Sequence, residues 1–362
     1  MSGQRLEIES IQCLRALAAG TVICAHAFAH LLSQPPLWPW TAGRIGVTLF
    51  FVISGFIMTV ITPEGRFDPW DFLVRRLLRI CPLYWFITVL VGAMAWLGLP
   101  FFRHTVFDAA HFIGSLLFIP MERPGNPGHI EPFVKLGWTL NYEMFFYLCF
   151  TALCFLNRTQ RTIVLCALMV GLATLGRLVD FENPIARFVT GYDVLGFAAG
   201  AVVGLVYCLR PGLVAASWRA LGLLCLASTA VLVAAAAGLT DNYPSMWLQA
   251  IVVTFSATTL LATVAMERAG AWPRLRALER FGSASYSAYL FHMFPIGALA
   301  VIAPKLLGAE PAGLAYLAFG LAGLASGLAA GWITYVVIER PLLRIARRFT
   351  PVPVEQAVPK GG

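Results

Sequence analysis

Charged residues are scarce in this sequence. Only 12% of its 362 residues are Asp, Glu, Lys or Arg, while 59% are hydrophobic. Soluble domains typically have about 25% charged and about 45–50% apolar residues. The composition therefore excludes an ordinary cytosolic enzyme, a disordered chain and a nucleic-acid-binding module. The net charge of +8 is better explained by membrane topology than by nucleic-acid binding.

Paired cysteines are also missing. None of the 8 cysteines forms a C-x-x-C pair, and most lie within long apolar runs. We therefore expect no disulfide framework and no metal site, and interpret the cysteines as small packing residues. A cleavable signal peptide is not expected either, because the first apolar run begins near Ile11 and is too long for a signal core.

Long apolar runs are what the sequence has in abundance. A bilayer core of about 30 Å requires about 20 mostly apolar residues per helix. Ten runs fit: residues 11–32, 45–61, 80–99, 138–156, 162–179, 191–209, 218–239, 246–266, 285–306 and 312–338. They predict an all-α membrane protein of about ten transmembrane helices in one domain, residues 1–345, with a short basic tail, 346–362. A weaker run, 106–120, contains Asp108 and His111 and is expected to be interfacial or re-entrant.

The basic residues predict the orientation of these spans. An even number of spans places both termini on the same side of the membrane. With that side cytoplasmic, 18 Lys and Arg residues fall inside and 7 fall outside. Cytoplasmic loops carry an excess of positive charge, so both termini are predicted to be cytoplasmic.

Ionisable residues inside the spans are few, and each suggests a function because it costs several kcal/mol in the membrane. The first span carries Arg15, His26 and His30. At about 100° per residue, Arg15 and His26 share one helix face, about 16 Å apart along the axis. Arg15 is thus predicted near the cytoplasmic end, and His26 in the outer half.

Glu143 is predicted at the same depth as His26. It is the sixth residue of a span that runs inward, which places it about 8 Å below the outer edge. A buried carboxylate and a buried imidazole at one depth should pair, so that the carboxylate orients a general base. A purely structural bridge is the alternative. Asp193 is either a third polar member or interfacial, and His292 suits a packing or pocket-wall role.

A basic segment precedes the third span. Asp68 can cap a helix whose first residue is Pro69. Arg75, Arg76 and Arg79 then lie at i, i+1 and i+4 and predict one basic face at the membrane surface. This face suits either anionic lipid or a phosphate-rich ligand.

Small residues recur every four positions in two spans and predict close helix packing. These glycines are Gly196, Gly200, Gly204, Gly323, Gly327 and Gly331.

Six segments, in order along nearly the whole chain, carry a further signal: residues 11–18 with His26, 46–56, 75–85, 138–147, 285–292 and 339–341. Together they resemble the signatures of the acyltransferase family three integral membrane proteins, above all the exopolysaccharide-production acyltransferases.

The resemblance implies ten membrane helices and transfer of an acyl group, by default acetyl, from cytoplasmic acyl-CoA to a sugar hydroxyl. The acceptor is expected to be an exopolysaccharide, another cell-surface glycan or a lipid-linked sugar, and the location the bacterial cytoplasmic membrane. The resemblance implies that His26 and Glu143 are functional and that Arg76 and Arg79 contact the donor. Arg75 and Arg15 are added as candidates for donor binding.

Further candidates for the pocket are His30, Asn141, Trp138, Asp193, Tyr286 and His292. In the expected mechanism, His26 removes the proton from the acceptor hydroxyl, which attacks the thioester, and Asn141 is a candidate for stabilising the oxyanion. The rival interpretation is a multi-span transporter or flippase of a lipid-linked or small polar solute, in which His and Glu would relay protons.

Overall fold

The computed structural model describes residues 8–32, 36–97, 107–238, 246–307, 313–346 and 348. Apart from one small hairpin, the regular structure of these residues is helical, which confirms the predicted all-α class. The α-helices are α1 (Glu9–Ala29), α2 (Leu37–Ile61), α3 (Pro69–Trp96), α4 (Ala109–Leu116), α5 (Trp138–Ala152), α6 (Arg158–Leu178), α7 (Pro184–Val189), α8 (Val194–Leu209), α9 (Pro211–Ala216), α10 (Trp218–Gly238), α11 (Met246–Arg268), α12 (Arg276–Ser283), α13 (Ser285–Phe291), α14 (Met293–Leu307), α15 (Gly313–Thr334) and α16 (Arg340–Ala346). A 3₁₀ turn, Lys135–Gly137, precedes α5, and a π-helical segment, Tyr335–Glu339, joins α15 to α16.

The described helices support a multi-pass integral membrane protein. Eight helical segments among them are long and apolar enough to cross a bilayer. Of the other two predicted spans, α5 is shorter, with 15 residues, and α10 has 21 residues and contains the apolar stretch Trp218–Val231. At 1.5 Å per residue, α5 is about 22 Å long. The count of ten and the cytoplasmic position of both termini therefore stay predictions.

The weak run at residues 106–120 contains only the short helix α4. Asp108 is its N-cap, and the Asp108 carboxylate accepts a hydrogen bond from the backbone N–H of His111 at 2.7 Å. Eight residues rise about 12 Å, which is too short to cross a bilayer. The predicted basic tail, 346–362, lies outside the described residues apart from Ala346 and Arg348.

A hairpin follows α4. Strands β1 (Glu122–Arg123) and β2 (Asn126–Ile130) pair antiparallel. Gly125 in the connecting turn has a φ of +78°. Residues other than glycine rarely adopt this backbone conformation.

The start of α3 is as predicted. The Asp68 carboxylate accepts hydrogen bonds from the backbone N–H groups of Trp70 and Asp71 at 2.8 and 3.0 Å, and Pro69 is the first helical residue. The cap satisfies two of the N–H groups that a helix start leaves unpaired. It thereby sets the helical phase of the arginines about two to three turns later.

Both glycine ladders lie in tight helix contacts, which confirms their packing role. A Cβ at Gly200 of α8 would lie 1.9 Å from the carbonyl oxygen of Val52 in α2. In α15, a Cβ at Gly331 would lie 2.4 Å from Ala288, and one at Gly323 would lie 3.0 Å from Ala27. Only glycine allows α8 to lie this close to α2, and α15 to α1 and α13.

These contacts determine which helices surround the candidate residues. Helix α1 packs against α2, α12, α13 and α15, while α5 packs against α2 and α3. Helix α2 thus contacts both α1 and α5. The largest buried apolar cluster includes Tyr84, Phe146, Phe150 and Phe197, which belong to α3, α5 and α8.

Candidate active site

A cavity of about 140 Å³ is lined by residues of α1, α2, α3, α5 and α13. Four ionisable groups that the sequence singled out line it together: Arg15, Arg76, Arg79 and Glu143. Its other polar lining residues are Ser54, Thr139, Tyr147, Ser285, Tyr286 and Tyr289. The fold therefore brings three arginines from two distant segments to one site with a carboxylate.

Arg79 is held by a carboxylate from the far end of the chain. Glu339, which is 1% exposed, pairs with the Arg79 guanidinium and accepts a hydrogen bond from the Ser287 hydroxyl at 2.5 Å. The guanidinium also lies over the Tyr286 ring, 5.6 Å from its centroid. The Tyr286 hydroxyl donates to the carbonyl of Ile80 at 2.7 Å, which fixes that ring beside the cavity.

Arg15 and Arg76 are the uncompensated cations of the cavity. Neither forms an ion pair with a carboxylate of the described residues. The Arg76 Nε is buried and has no hydrogen-bond partner among the described residues. The Arg76 guanidinium lies 5.8 Å from the Phe72 ring centroid. Three arginines stand against two carboxylates, Glu143 in the cavity lining and Glu339 paired with Arg79, so one positive charge is in excess.

Arg75 does not belong to the cavity. It pairs with Asp71, one turn earlier on the same helix, and both side chains are 30% exposed. The prediction of one basic face was therefore wrong in part. Arg76 and Arg79, three residues apart, point into the cavity, whereas Arg75 lies far enough around α3 to reach Asp71 instead.

Glu143 is bonded within the cavity. Its Oε1 accepts hydrogen bonds from the Ser54 hydroxyl at 3.2 Å and from the Tyr147 hydroxyl, one turn along α5. The predicted pair with His26 is not formed. Glu143 lines the same cavity as Arg15, which precedes His26 by about 16 Å along α1. The depth that the span bounds assign to Glu143 therefore does not place it beside His26, and α2 packs against both α1 and α5. Glu143 consequently faces the arginines.

His26 belongs to a second cluster, formed with His292. Its Nδ1 lies 3.2 Å from the Nε2 of His292 and 3.2 Å from the Sδ of Met293. The His30 ring meets it edge-on at 5.7 Å between centroids, and the Trp40 ring does so at 6.4 Å. His26 is half-buried, while His292 is fully buried. We call these five residues the histidine cluster.

Tyr289 lies between the cavity and the histidine cluster. Its side chain lines the cavity, and its ring centroid is 6.2 Å from that of His292. Its hydroxyl donates to the carbonyl of Leu136 at 3.0 Å and accepts from the Thr139 hydroxyl at 2.9 Å. The two polar sites are therefore adjacent and separated by one aromatic ring.

Asn141, Trp138 and Asp193 lie outside both sites. Asn141 is 2% exposed and does not line the cavity, because it lies about 160° around α5 from Glu143. Trp138 packs edge-on against the rings of Phe51 and Tyr142. Neither position supports a role at the cavity.

Asp193 forms an ion pair with Arg44 at 3.3 Å, and Arg44 also donates to Gln249 at 2.7 Å. Of the two roles left open for Asp193, this arrangement favours the structural one, as a link between α2 and the start of α8.

Sequence reasoning missed Glu339, Ser54 and Tyr147. Glu339 stands in a segment that carried the family resemblance, and a carboxylate directly after an apolar span is itself a signal of function or pairing. Tyr147 lies four residues after Glu143, the spacing at which helical side chains meet. Ser54 carries no comparable signal, because single hydroxyls are common in membrane helices.

Comparisons with known proteins decide the class of this membrane protein. Residues 8–336 match the acyltransferase domain. The chain belongs to this acyltransferase family. It is 35% identical to the exopolysaccharide production protein ExoZ of Rhizobium meliloti over 85% of the chain and 92% of that protein. It is 29% identical to the acyltransferase MdmB of Streptomyces mycarofaciens over 86% of the chain and 84% of that protein.

A partial match adds a third relative. The chain is 28% identical to the O-acetyltransferase OatA of Staphylococcus aureus over 49% of the chain and 29% of that protein. No solved structure matches the chain. Family membership and the apolar helices together make this protein a membrane-bound acyltransferase.

Proposed function

We propose that this acyltransferase moves an acyl group, by default acetyl, from acyl-CoA to a sugar hydroxyl of an exopolysaccharide or another cell-surface glycan. Its place is the bacterial cytoplasmic membrane, with the donor on the cytoplasmic side. The similarity to an exopolysaccharide production protein and to an O-acetyltransferase supports the glycan acceptor and the acetyl group. A lipid-linked sugar is the other acceptor included in this proposal.

The observation that carries the proposal is the excess of arginine in the cavity. Arg15 and Arg76 have no carboxylate partner among the described residues, and Arg79 is kept in place by Glu339. Guanidinium groups bind phosphate through several N–H donors at once, and they do so best where water is excluded. Acyl-CoA carries its phosphates at one end and its thioester at the other, so phosphates held here direct the thioester away from the arginines.

His26 is proposed as the general base. Arg15 and His26 share a face of α1, about 16 Å apart along its axis, so a donor anchored at Arg15 extends toward His26. His26 takes the proton from the acceptor hydroxyl while the oxygen attacks the thioester carbonyl. The carbon–sulfur bond then breaks, and the proton passes to the leaving thiolate to give free CoA. Such base catalysis typically contributes about 10²–10⁴ in rate.

Glu143 serves the donor site in this proposal, not the base. It bonds to Ser54 and Tyr147 and faces the cavity that Arg15 and Arg76 line. A carboxylate there limits repulsion between the arginines when no donor is bound. When the donor binds, its phosphates are stronger partners of the arginines than the single Glu143 carboxylate.

The test measures acyl transfer in membrane vesicles supplied with labelled acetyl-CoA and with glycan from a strain that lacks the gene. His26→Ala should reduce transfer by at least about 10²-fold, with the protein still present in the membrane. The matched control is His129→Ala, since His129 is exposed on β2. Transfer that persists in the His26 variant would contradict the role of His26.

Mass spectrometry of the surface polysaccharide, with and without the gene, tests the acceptor. Loss of one ester group per repeat is the expected result, and an unchanged polysaccharide would contradict a glycan acceptor. The same vesicles test the transporter alternative, because a carrier does not consume acetyl-CoA. Release of free CoA only when acceptor is present supports transfer.

A further inference from the structure

A chain of hydrogen bonds ends at His26 and starts at a backbone carbonyl. The Nδ1 of His292 lies 3.1 Å from the carbonyl oxygen of Ala288, one turn earlier. The Nε2 of the same ring lies 3.2 Å from the Nδ1 of His26. The proposed mechanism leaves His292 without a task, although it is completely buried.

The order of donors along this chain follows from its first member. A carbonyl oxygen only accepts hydrogen bonds, so the Nδ1 of His292 carries a proton. In a neutral imidazole the other nitrogen, Nε2, then has no proton and accepts. The Nδ1 of His26 must therefore be the donor, and the Met293 sulfur at 3.2 Å is a second, weak acceptor for that same proton.

The consequence concerns the remaining nitrogen of His26. With its proton on Nδ1, neutral His26 has an unprotonated Nε2, which is the atom that a general base requires. A neutral pair is the expected resting state, because an unpaired charge inside a membrane protein costs several kcal/mol. Among the described residues, no side chain is hydrogen-bonded to the Nε2 of His26.

The His292 ring is well placed to hold this arrangement. Helix α15 packs on it closely: a Cβ at Gly327 would lie 3.2 Å from the His292 Cβ. Tyr289 packs against it on the side of the cavity. His292 itself lies between α13 and α14, where its backbone N–H bonds to Ala288 at 3.2 Å.

We infer that His292 is a positioning residue that sets the tautomer of His26 and keeps its Nε2 free to accept the proton of the acceptor hydroxyl. The inference rests on the proposed role of His26 as general base. When His26 takes the proton, its Nδ1–H becomes a stronger donor, and the neutral Nε2 of His292 stabilises the resulting imidazolium. His292 thus performs the orienting task that a carboxylate performs in other histidine bases.

The tautomer can be measured without any activity. Nitrogen-15 labelling of the 6 histidines in detergent-solubilised protein, with assignment by His26→Gln and His292→Gln, gives the protonation of each ring nitrogen by NMR. The expected result is a protonated Nδ1 and an unprotonated Nε2 on His26. In His292→Leu the His26 signals should shift toward a mixture of both tautomers. A His26 protonated on Nε2 in the unmodified protein, or one unaffected by His292→Leu, would overturn the inference.

Kinetics provide the second test. The side-chain oxygen of His292→Gln can reach the position of Nε2 and accept from His26, so kcat should fall by less than about tenfold. His292→Leu fills similar space without an acceptor, so kcat should fall by about 10²-fold or more, with the donor KM unchanged. Equal activities of the two variants, whether high or low, would contradict a positioning role.

The two proposals fail separately. If His26→Ala remains active, His26 is not the base, whatever NMR finds for its tautomer. If His26→Ala is inactive while His292→Leu retains full activity, only the role of His292 is lost. Size-exclusion profiles in detergent identify a variant that has not folded, and the NMR measurement on the unmodified protein then decides.

Discussion

Glu339 and Arg79 form an ion pair across 260 residues of sequence. The second carboxylate oxygen of Glu339 accepts from Ser287 at 2.5 Å, so one buried side chain joins α3, α13 and the π-helical segment before α16. The pair holds one of the three cavity arginines in place. It leaves the other two, Arg15 and Arg76, without a carboxylate partner in the described structure.

Glu339→Gln should lower the free energy of unfolding by about 1–3 kcal/mol, because it leaves the partly buried Arg79 guanidinium without its charged partner. The measurement is the thermal midpoint in detergent. Glu122→Gln is the matched control, since it breaks the half-exposed pair with Arg187 at 3.0 Å and should cost no more than about 1 kcal/mol. Equal losses in the two variants would contradict a structural role for Glu339.

Arg76→Ala and Arg75→Ala should separate donor binding from anchoring at the membrane surface. Arg76 lines the cavity and Arg75 pairs with Asp71. Loss of a charge-assisted contact to phosphate costs about 1.5–3 kcal/mol, so Arg76→Ala should raise the donor KM by about tenfold or more. Arg75→Ala should change it by less than about threefold. If both substitutions have the same effect, the arginines serve lipid binding instead.

Glu143→Gln should tighten the binding of free coenzyme A several-fold. The amide oxygen can still accept from Ser54 and Tyr147, while the negative charge that opposes the phosphates is removed. Calorimetry with coenzyme A on the solubilised protein measures this directly, and Glu131→Gln provides a control away from the cavity. Weaker binding in Glu143→Gln would contradict the placement of this charge beside the donor phosphates.

Gly200→Ala should destabilise the protein strongly, by about 3 kcal/mol or more, because the added methyl group would overlap the backbone of α2. Gly171→Ala is the matched control. A Cβ at Gly171 would meet nothing within 4 Å, and alanine is favoured over glycine within a helix by about 0.5–1 kcal/mol. The two thermal midpoints should therefore move in opposite directions, and a tolerated Gly200→Ala would contradict the close approach of α8 to α2.

Much of the fold follows from the sequence, because helix formation and helix length depend on local composition. The apolar runs, the cap at Asp68 and the glycine ladders all appear in the structure where the sequence indicates them. Four of the candidate residues, Arg15, Arg76, Arg79 and Glu143, line one cavity. Each of these residues stands out because a charge within or beside an apolar span costs free energy and therefore suggests a function.

The partners of those residues could not be derived in the same way. Helical periodicity gives the positions of His26 and Glu143 along their own helices, but not how these helices are shifted relative to each other or the direction from which neighbouring helices approach. Arg75 and Arg76 are adjacent in sequence, yet they differ by about 100° around α3, and only the packing of α3 determines which one enters the cavity.

The sequence by itself determined that this protein is helical and membrane-embedded. It also determined which few ionisable residues stand out as candidates, because the cost of burying charge makes every such residue conspicuous. Only the tertiary structure decided which of these side chains contact one another. Glu143 faces the arginines, Glu339 holds Arg79, and His292 takes the place beside His26 that depth alone had given to Glu143. The physical reason is that a side-chain pair depends on the rotation and contact of two whole helices, and the packing of distant segments sets both.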